Sequence, residues 1–185
     1  MRIFSLFIAV LILFAGCNKQ NDALAQAMSI RSRLNDSGCE FYVQINADYG
    51  AYTYDFEMEC CVDRNGEMRF NVKKPESISG ITGVFDSENG KLSFDEKLLA
   101  FSPLSEGLLT PVASPWVFFR ALVGGYISAA GNCKNGYQMR FEDTYEGHAL
   151  VVEIITDLDA LPLSAEIYWE GSRILSLDIE WFRIV

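Results

Sequence analysis

Two runs of alternating apolar and polar residues between Cys39 and Cys61 constrain the fold more than any other feature of the chain. The segment reads CEFYVQINADYGAYTYDFEMECC, with apolar side chains at odd positions before the turn DYGA and at even positions after it. A period of two places every second side chain on the same face of a β-strand. The segment therefore predicts a β-hairpin with one buried face and one solvated face.

The hairpin also predicts which cysteines lie near each other. If Ala47 faces Tyr52 across a four-residue turn, Cys39 faces Cys60 on the apolar face. A disulfide closing such a loop of about twenty residues would contribute about 3 kcal/mol of stability. A bulge near the strand end would favour Cys39–Cys61 instead, and Cys61 is otherwise free to pair with Cys133.

Further strands follow the hairpin. One is predicted within residues 67–75, and several joined by the turn ENG are predicted within 77–101. Four more are predicted in the C-terminal third, over residues 136–143, 148–155, 163–170 and 172–184. A single antiparallel sheet of about ten strands must curl strongly or close.

Two segments have helical patterns. Apolar residues recur at helical spacing over 23–35, at Leu24, Ala27, Ile30 and Leu34, which predicts an amphipathic helix. The second segment, Trp116–Ala130, is apolar around most of its circumference and carries Arg120 as its only charge. Such a helix must be buried on nearly all sides or must cover an apolar cavity.

Both ends of the second helical segment have recognisable signals. Ser114 and Pro115 suit an N-cap followed by a first-turn proline. The Gly124–Gly125 pair lies in the middle of the apolar run, and each glycine lowers helix stability by about 1 kcal/mol. The helix is therefore expected to bend or end at these glycines.

The first seventeen residues, MRIFSLFIAVLILFAGC, have the three parts of a secretory signal: Arg2, an apolar run, and the small pair Ala15–Gly16. A cysteine after Ala-Gly resembles the lipobox of bacterial lipoproteins. We expect residues 1–16 to be removed, Cys17 to be lipidated, and residues 17–21 to form a short tether. Residues 22–185 are then one domain, a length that suits a single core.

The net charge of the chain and its N-terminal signal together limit where the protein is expected to reside and what it is expected to bind. The chain has 15 basic and 25 acidic residues and a formal net charge of −10, which disfavours nucleic acid. The signal predicts an extracytoplasmic monomer, lipid-anchored to a bacterial membrane. The short signal with a single arginine favours the cell membrane of a Gram-positive organism.

The sequence contains no recognisable catalytic constellation. Its single histidine, His148, precedes a predicted strand without a serine or aspartate arranged around it. Asp157 and Asp159 are spaced like catalytic or metal-binding carboxylates, but an Asp-x-Asp pair before a proline is more typical of a turn. Adjacent cysteines without a partnering histidine do not match a zinc site. We expect no enzymatic activity, no metal and no cofactor.

The order of these parts resembles a known superfamily. The segment FNVKKPESISGITGVFDSENGKLSFD and the closing hairpin LPLSAEIYWEGSRILSLDIEWF are similar to corresponding segments of the LolA/LolB-like lipoprotein carriers. The resemblance implies a mainly β (α+β) fold: an unclosed β-barrel of about ten strands with an N-terminal helix. It also implies that the apolar helical insertion covers the concave face.

The resemblance further implies that the concave face binds lipid or an acylated protein. Strand parity and the insertion then supply thirteen candidate ligand-binding residues: Phe41, Val43, Phe56, Met58, Phe70, Val72, Phe118, Phe119, Leu122, Ile167, Trp169, Leu177 and Ile179. The alternative is an envelope interaction or regulatory protein, with a fully packed interior and a protein partner on its outer face. The volume of the interior cavity distinguishes the two.

Overall fold

The computed structural model describes residues 18–185 apart from 87–88, 95–96, 102–103, 106–107 and 146. Helix α1 spans Asn18–Asp36. The first strands follow as β1 Cys39–Asp48, β2 Thr53–Val62, β3 Met68–Lys74, β4 Thr82–Asp86, β5 Asn89–Phe94 and β6 Lys97–Phe101.

A short ribbon and a second helix come next. The ribbon pairs β7 (Leu104–Ser105) with β8 (Leu108–Leu109), and helix α2 spans Ser114–Gly124. The closing strands are β9 Tyr126–Cys133, β10 Gly136–Tyr145, β11 His148–Thr156, β12 Pro162–Trp169 and β13 Ser172–Ile184.

One antiparallel sheet of eleven strands forms the frame of the molecule. Its order is β6-β5-β4-β3-β2-β1-β13-β12-β11-β10-β9, so that the last strand pairs with the first and the sheet remains open between β6 and β9. Three of the central ladders contain register shifts, at Tyr42/Val43, Glu57/Met58 and Ile167/Tyr168. Shifts of this kind bend strands and increase twist, which allows so long a sheet to curl. The mainly β, unclosed architecture is the one that the sequence predicts.

The buried face of the sheet follows the predicted alternation. In β1, Cys39, Phe41, Val43, Ile45 and Ala47 are all buried, whereas the residues between them are exposed or half-buried. The buried face is concave and holds one hydrophobic cluster together with α2 and the inner side of α1. We call the opposite, solvated side of the sheet the outer face.

Helix α1 is longer than predicted, and its buried stripe differs by one residue from the predicted one. It begins at Asn18, so residues 18–21 are helical where the sequence predicted a tether. Its buried stripe is Ala23, Ala27, Ile30 and Leu34. Leu24, which the pattern assigned to this stripe, is instead 45% exposed.

Helix α2 ends earlier than the apolar run suggested. It stops at Gly124, and the residues from Tyr126 onward form β9 and pair with β10. A Cβ at Gly125 would lie 2.7 Å from the Ala121 carbonyl oxygen, so only glycine fits this exit from the helix. The helix therefore ends at the glycine pair, as expected, and the apolar residues that follow it form a strand.

Candidate functional site

The concave face gathers the predicted ligand-binding residues into one cluster. Twelve of the thirteen are buried, and Phe56 is partly buried at the margin. The twelve are Phe41, Val43, Met58, Phe70, Val72, Phe118, Phe119, Leu122, Ile167, Trp169, Leu177 and Ile179. They come from β1, β2, β3, β12, β13 and α2, so the sequence correctly predicted the inward parity of each strand.

Helix α2 lies against this concave face through aromatic contacts. Phe118 meets Phe41 edge to face with ring centroids 5.8 Å apart. Trp116 stacks on Phe85 at 5.7 Å and meets Tyr145 edge to face at 5.8 Å. Aromatic pairs in these geometries contribute about 0.5–1.5 kcal/mol beyond the area that they bury. The candidate residue Phe41 therefore contacts α2 in this structure.

A single charged side chain fixes the outer edge of α2. Arg120 forms an ion pair with Asp143 at 3.1 Å, and its guanidinium lies 5.4 Å from the ring centroid of Trp116 and 5.3 Å from that of Tyr145. Its side chain is 31% exposed, so the pair is partly shielded from solvent. Partial desolvation strengthens both the ion pair and the cation–π contacts.

A second arginine ties the end of α2 to α1. Arg31 donates hydrogen bonds to the Leu122 carbonyl at 2.9 Å and to the Gly125 carbonyl at 2.5 Å. Partial burial lowers the pKa of Arg31 from its ordinary value. These carbonyls belong to the last turn of α2 and its exit, where carbonyls lack partners inside the helix. Arg31 therefore caps α2 from the neighbouring helix.

Several residues of the same cluster were missed by the sequence reasoning. Phe85, Trp116, Met139, Phe141 and Tyr145 are all buried on the concave side. Met139 and Phe141 share the parity of a predicted strand, so alternation alone could have found them. Tyr145 has the same parity as Met139 and Phe141 but lies two residues beyond the predicted strand, which covered 136–143. Phe85 lies in a stretch of predicted strands for which no inward face was assigned.

The cysteines adopt a different arrangement from the predicted one. The observed register pairs Cys39 with Val62 and Cys60 with Phe41, so the prediction that Cys39 faces Cys60 is wrong by two residues. Both thiols are buried on the concave face, and burial raises the pKa of Cys39 to about 12. Diagonal neighbours on one face lie about 7–8 Å apart, beyond the Cα spacing usual for a disulfide.

The two remaining cysteines lie on distant strands. Cys61 is exposed on the outer face of β2, whereas Cys133 is exposed at the end of β9. Five strands of the sheet separate β2 from β9. The structure therefore does not bring Cys61 and Cys133 together, and Cys61 also faces away from Cys39. All four are free thiols in the structure.

Asp157 and His148, which were considered for catalysis, make local contacts with neighbouring turn and strand residues. Asp157 accepts backbone hydrogen bonds from Asp159 at 2.9 Å and Leu161 at 2.8 Å, which is the predicted turn chemistry. His148 is partly exposed, its ring is tilted against Trp169 with centroids 4.9 Å apart, and it lies 3.2 Å from a Glu170 carboxylate oxygen. Within the described ranges, no three His, Cys, Asp or Glu side chains are grouped closely enough to hold a metal ion.

Among the described helices, neither combines the length and the apolar character needed to cross a bilayer.

No protein-family model matches the chain, and no curated protein matches it. Solved structures do resemble it. An uncharacterized conserved protein from Thermus thermophilus aligns with a TM-score of 0.50 and 14% identity, covering 86% of this chain and 87% of that one.

Two further structures are similar at lower scores. The LolA superfamily protein NE2245 from Nitrosomonas europaea aligns with a TM-score of 0.45 and 11% identity, covering 86% of this chain and 93% of its own. The Mycobacterium tuberculosis lipoprotein LppX aligns with a TM-score of 0.41 and 11% identity, covering 85% and 93%. Similarity at these identities concerns the fold alone. That fold is the one that the sequence resemblance predicts, an unclosed, curved antiparallel sheet partly covered by helices.

Proposed function

We propose that this chain is a non-enzymatic lipoprotein that binds the acyl chain of a lipid or of an acylated protein between the concave face and α2. In this proposal Cys17 anchors it to the outer side of a bacterial membrane. The observation that carries the proposal is α2 itself, since eight of its eleven residues are buried and Arg120 is its only charge. A largely apolar helix over an apolar concave face provides two surfaces between which an acyl chain could insert.

An acyl chain can replace the contacts that α2 makes without disturbing the sheet. The ladders of β1, β2, β12 and β13 are backbone hydrogen bonds within the sheet, and none of them involves α2. Each methylene that moves from water into the apolar interior contributes roughly 0.8 kcal/mol. A chain of about ten or more methylenes would therefore offset the loss of several side-chain contacts of α2.

Two polar attachments would control the opening of α2. The Arg120–Asp143 ion pair holds its middle, and the Arg31 hydrogen bonds hold its C-terminal turn. Both lie at the margin of the apolar cluster, where water can replace a lost partner. Gly124 and Gly125 follow immediately and can absorb a change in backbone direction. Weakening Arg120 should therefore speed ligand exchange more than it destabilises the sheet.

A photoactivatable fatty acid tests this site directly. The full chain, purified from membranes in mild detergent, is incubated with a diazirine-labelled C16 fatty acid, and the cross-linked peptides are identified by mass spectrometry. We expect cross-links on peptides that contain Phe41, Phe118 or Leu177, and we expect unlabelled fatty acid to suppress them. Native mass spectrometry of the same sample identifies any lipid that copurifies.

The matched variants are Arg120→Gln and Arg140→Gln. Arg140 forms an ion pair with Glu153 on the outer face, so its loss removes a comparable charge pair that does not touch α2. We expect ligand uptake and release to be several-fold faster in the Arg120 variant and unchanged in the Arg140 variant. Absence of both a copurifying lipid and a suppressible cross-link would contradict the proposal.

The alternative function is an envelope interaction protein with a packed interior and a protein partner on its outer face. The observation that favours it is the direct contact between α2 and the concave side chains, since Phe118 and Leu122 are fully buried. The same cross-linking experiment separates the two functions, because a packed interior takes up no fatty acid.

A further inference from the structure

The outer face of the sheet contains a cavity that the proposed acyl-chain site does not use. It has a volume of about 590 Å³ and extends over β13, β1, β2, β3, β4 and β5. Most of its lining residues alternate with those of the concave cluster along the strands, so it lies on the opposite side of the sheet. Cys60 and Phe70, which belong to the concave cluster, also line it. A volume of several hundred cubic ångströms is typical of small-molecule sites.

Two neighbouring rows of side chains, which cross the strands through their register pairs, form the walls of this cavity. The first row runs from β13 to β5 as Arg183, Glu40, Cys61, Arg69, Val84 and Lys91. Trp181, Glu59, Asn71 and Thr82 line the cavity from the second row. Side chains directly opposite on adjacent strands lie about 4.5–5.5 Å apart at Cβ, so each row is nearly continuous.

The cavity carries a charge opposite to that of the whole chain. Three cationic side chains and two carboxylates line it, whereas the chain as a whole has a formal net charge of −10. Each carboxylate has a cationic partner, since Glu40 forms an ion pair with Arg183 and Glu59 forms one with Lys73 at 2.8 Å. The lining therefore has a balance of one positive charge, three cations against two carboxylates, on a chain that is acidic overall. A positive balance of this kind favours anions over cations.

Arg69 is the cation best placed to bind an anion. Glu67 holds its guanidinium at 2.9 Å, and the Arg69 side chain is 72% exposed. A guanidinium has five N–H donors in a planar fork, more than one carboxylate oxygen can use. Glu67 thus orients the group while donors remain for a carboxylate or sulfonate in the cavity.

An apolar surface adjoins these cations. Trp181 is 39% exposed, and the Arg183 guanidinium lies 5.9 Å from its ring centroid. Val84 stands between Arg69 and Lys91 in the first row. An exposed indole beside fixed cations suits a ligand that has both a flat apolar part and a negative charge.

We propose that this outer-face cavity binds a small organic anion, with the anionic group on Arg69 and the apolar part against Trp181. Cys61 lies between Glu40 and Arg69 in the first row, and its exposed thiol reports on occupancy of the cavity. Cys133 is also exposed but lies on β9, with five strands between it and β2, so the chain contains its own control thiol.

The test measures alkylation of these two thiols in the reduced full chain. Iodoacetamide is added with and without 8-anilinonaphthalene-1-sulfonate, and modification of each cysteine is followed by peptide mass spectrometry. We expect the sulfonate to slow alkylation of Cys61 at least five-fold and to leave Cys133 unchanged. Neutral 1-naphthol at the same concentration should protect Cys61 much less. Equal protection by the two compounds, or equal slowing at both thiols, would overturn the proposal.

Arg69→Gln and Arg173→Gln form the matched pair. Arg173 is another outer-face arginine, 58% exposed and paired with Glu166 at 2.7 Å, but it lies outside the cavity. We expect the concentration of sulfonate that half-protects Cys61 to rise at least five-fold in the Arg69 variant only. Urea midpoints of both variants establish that they are folded. Similar half-protection in the two folded variants would refute the role of Arg69.

The outcome is independent of the acyl-chain site. Fatty-acid cross-linking reports on Phe118 and its neighbours, whereas thiol protection reports on the opposite face of β2. Either proposal can fail while the other holds.

Discussion

Burial determines the chemistry of Cys39. The thiol is fully buried, and burial raises its pKa to about 12 from an ordinary value near 9. The folded state of the reduced protein therefore keeps its proton at pH values where the unfolded state has lost it. Stability is unaffected below about pH 9 and falls as the pH rises from there towards 12. We expect Cys39 to account for a loss of about 2 kcal/mol at about pH 10.5.

Urea unfolding of the reduced protein at about pH 8 and about pH 10.5 measures this loss. Cys39→Ala removes the titrating group, so the difference between the two pH values should shrink in this variant. Cys60 and Tyr49 also have pKa values raised by burial and contribute to the remaining pH dependence. Each protein is compared with itself at the two pH values. The loss of unfolding free energy caused by the alanine substitution itself therefore cancels. An unchanged pH difference would contradict the assignment.

The same residues show where sequence reasoning reaches its limit. Alternation correctly placed Cys39 and Cys60 on one face, because a strand has a fixed period of two. Whether these two cysteines face each other depends on where the turn begins. The turn begins one residue later than predicted, because Asp48 pairs with Thr53. The Asp48 carboxylate accepts the Gly50 N–H, and Gly50 has a positive φ of 80°. A one-residue displacement of the turn shifts every opposite pair by two while leaving the faces unchanged.

The disulfides remain predictions. In the observed register, a Cys39–Cys60 bond would need the strands to move, and Cys61 points away from both. Non-reducing peptide mapping of protein secreted into an oxidising compartment would identify any bond that forms.

At the scale of elements, the pairing of β3 with β4 depends on Gly83. A Cβ at this position would lie 2.3 Å from the Phe70 ring and 2.7 Å from the Lys91 carbonyl oxygen. The Phe70 ring lies over this glycine and contacts Phe85 at 5.6 Å. Gly83→Ala must therefore displace either a buried aromatic ring or a strand, and overpacking of this kind costs about 1–3 kcal/mol.

Gly131→Ala is the control for this substitution. Gly131 lies within β9, and a Cβ there would meet nothing within 4 Å. We expect urea unfolding to show a loss of about 1–3 kcal/mol for Gly83→Ala and a change within about 0.5 kcal/mol for Gly131→Ala. Equal effects would show that the ring can move aside without cost.

Element boundaries were harder to predict than element types. The apolar composition correctly indicated a buried helix, since burial on all sides requires no alternation. The same composition could not distinguish Tyr126–Cys133 from a continuation of that helix, because a short apolar run suits either structure. Pairing with β10 makes this run a strand, since Tyr126 and its neighbours pair with Glu142 and Phe141. This information is non-local and lies outside any sequence window.

At the scale of the whole molecule, the two faces of the sheet differ in predictability. The concave face follows from alternation alone, and most of the candidate acyl-chain residues were identified in this way. The outer-face cavity depends on which side chains lie in the same transverse row, as Cys61 and Arg69 do across β2 and β3. Residues far apart in the chain, such as Glu40 and Arg183, become neighbours only because β13 pairs with β1.

The proposed lipidation of Cys17 concerns the whole molecule, because an anchor at that residue would fix the distance between the domain and the membrane. Cys17 directly precedes α1, which begins at Asn18 and packs against β9 and α2. A lipid on Cys17 would therefore hold the domain beside the bilayer without an intervening linker. Acyl chains stabilise membrane attachment by about 0.8 kcal/mol per buried methylene, so two or three chains bind firmly.

Cys17→Ser removes the predicted site of lipidation and tests this arrangement. We expect the unmutated chain to sediment with membranes at high salt and to partition into detergent, whereas the serine variant should lose both properties. Cys61→Ser is the control, because Cys61 is also accessible but lies in the folded domain. The mass of the N-terminal peptide should show acyl chains on Cys17 and the absence of residues 1–16. Membrane association that persists in the Cys17 variant would mean that another part of the chain holds it there. The acyl-chain site would then need to be tested on that form of the protein.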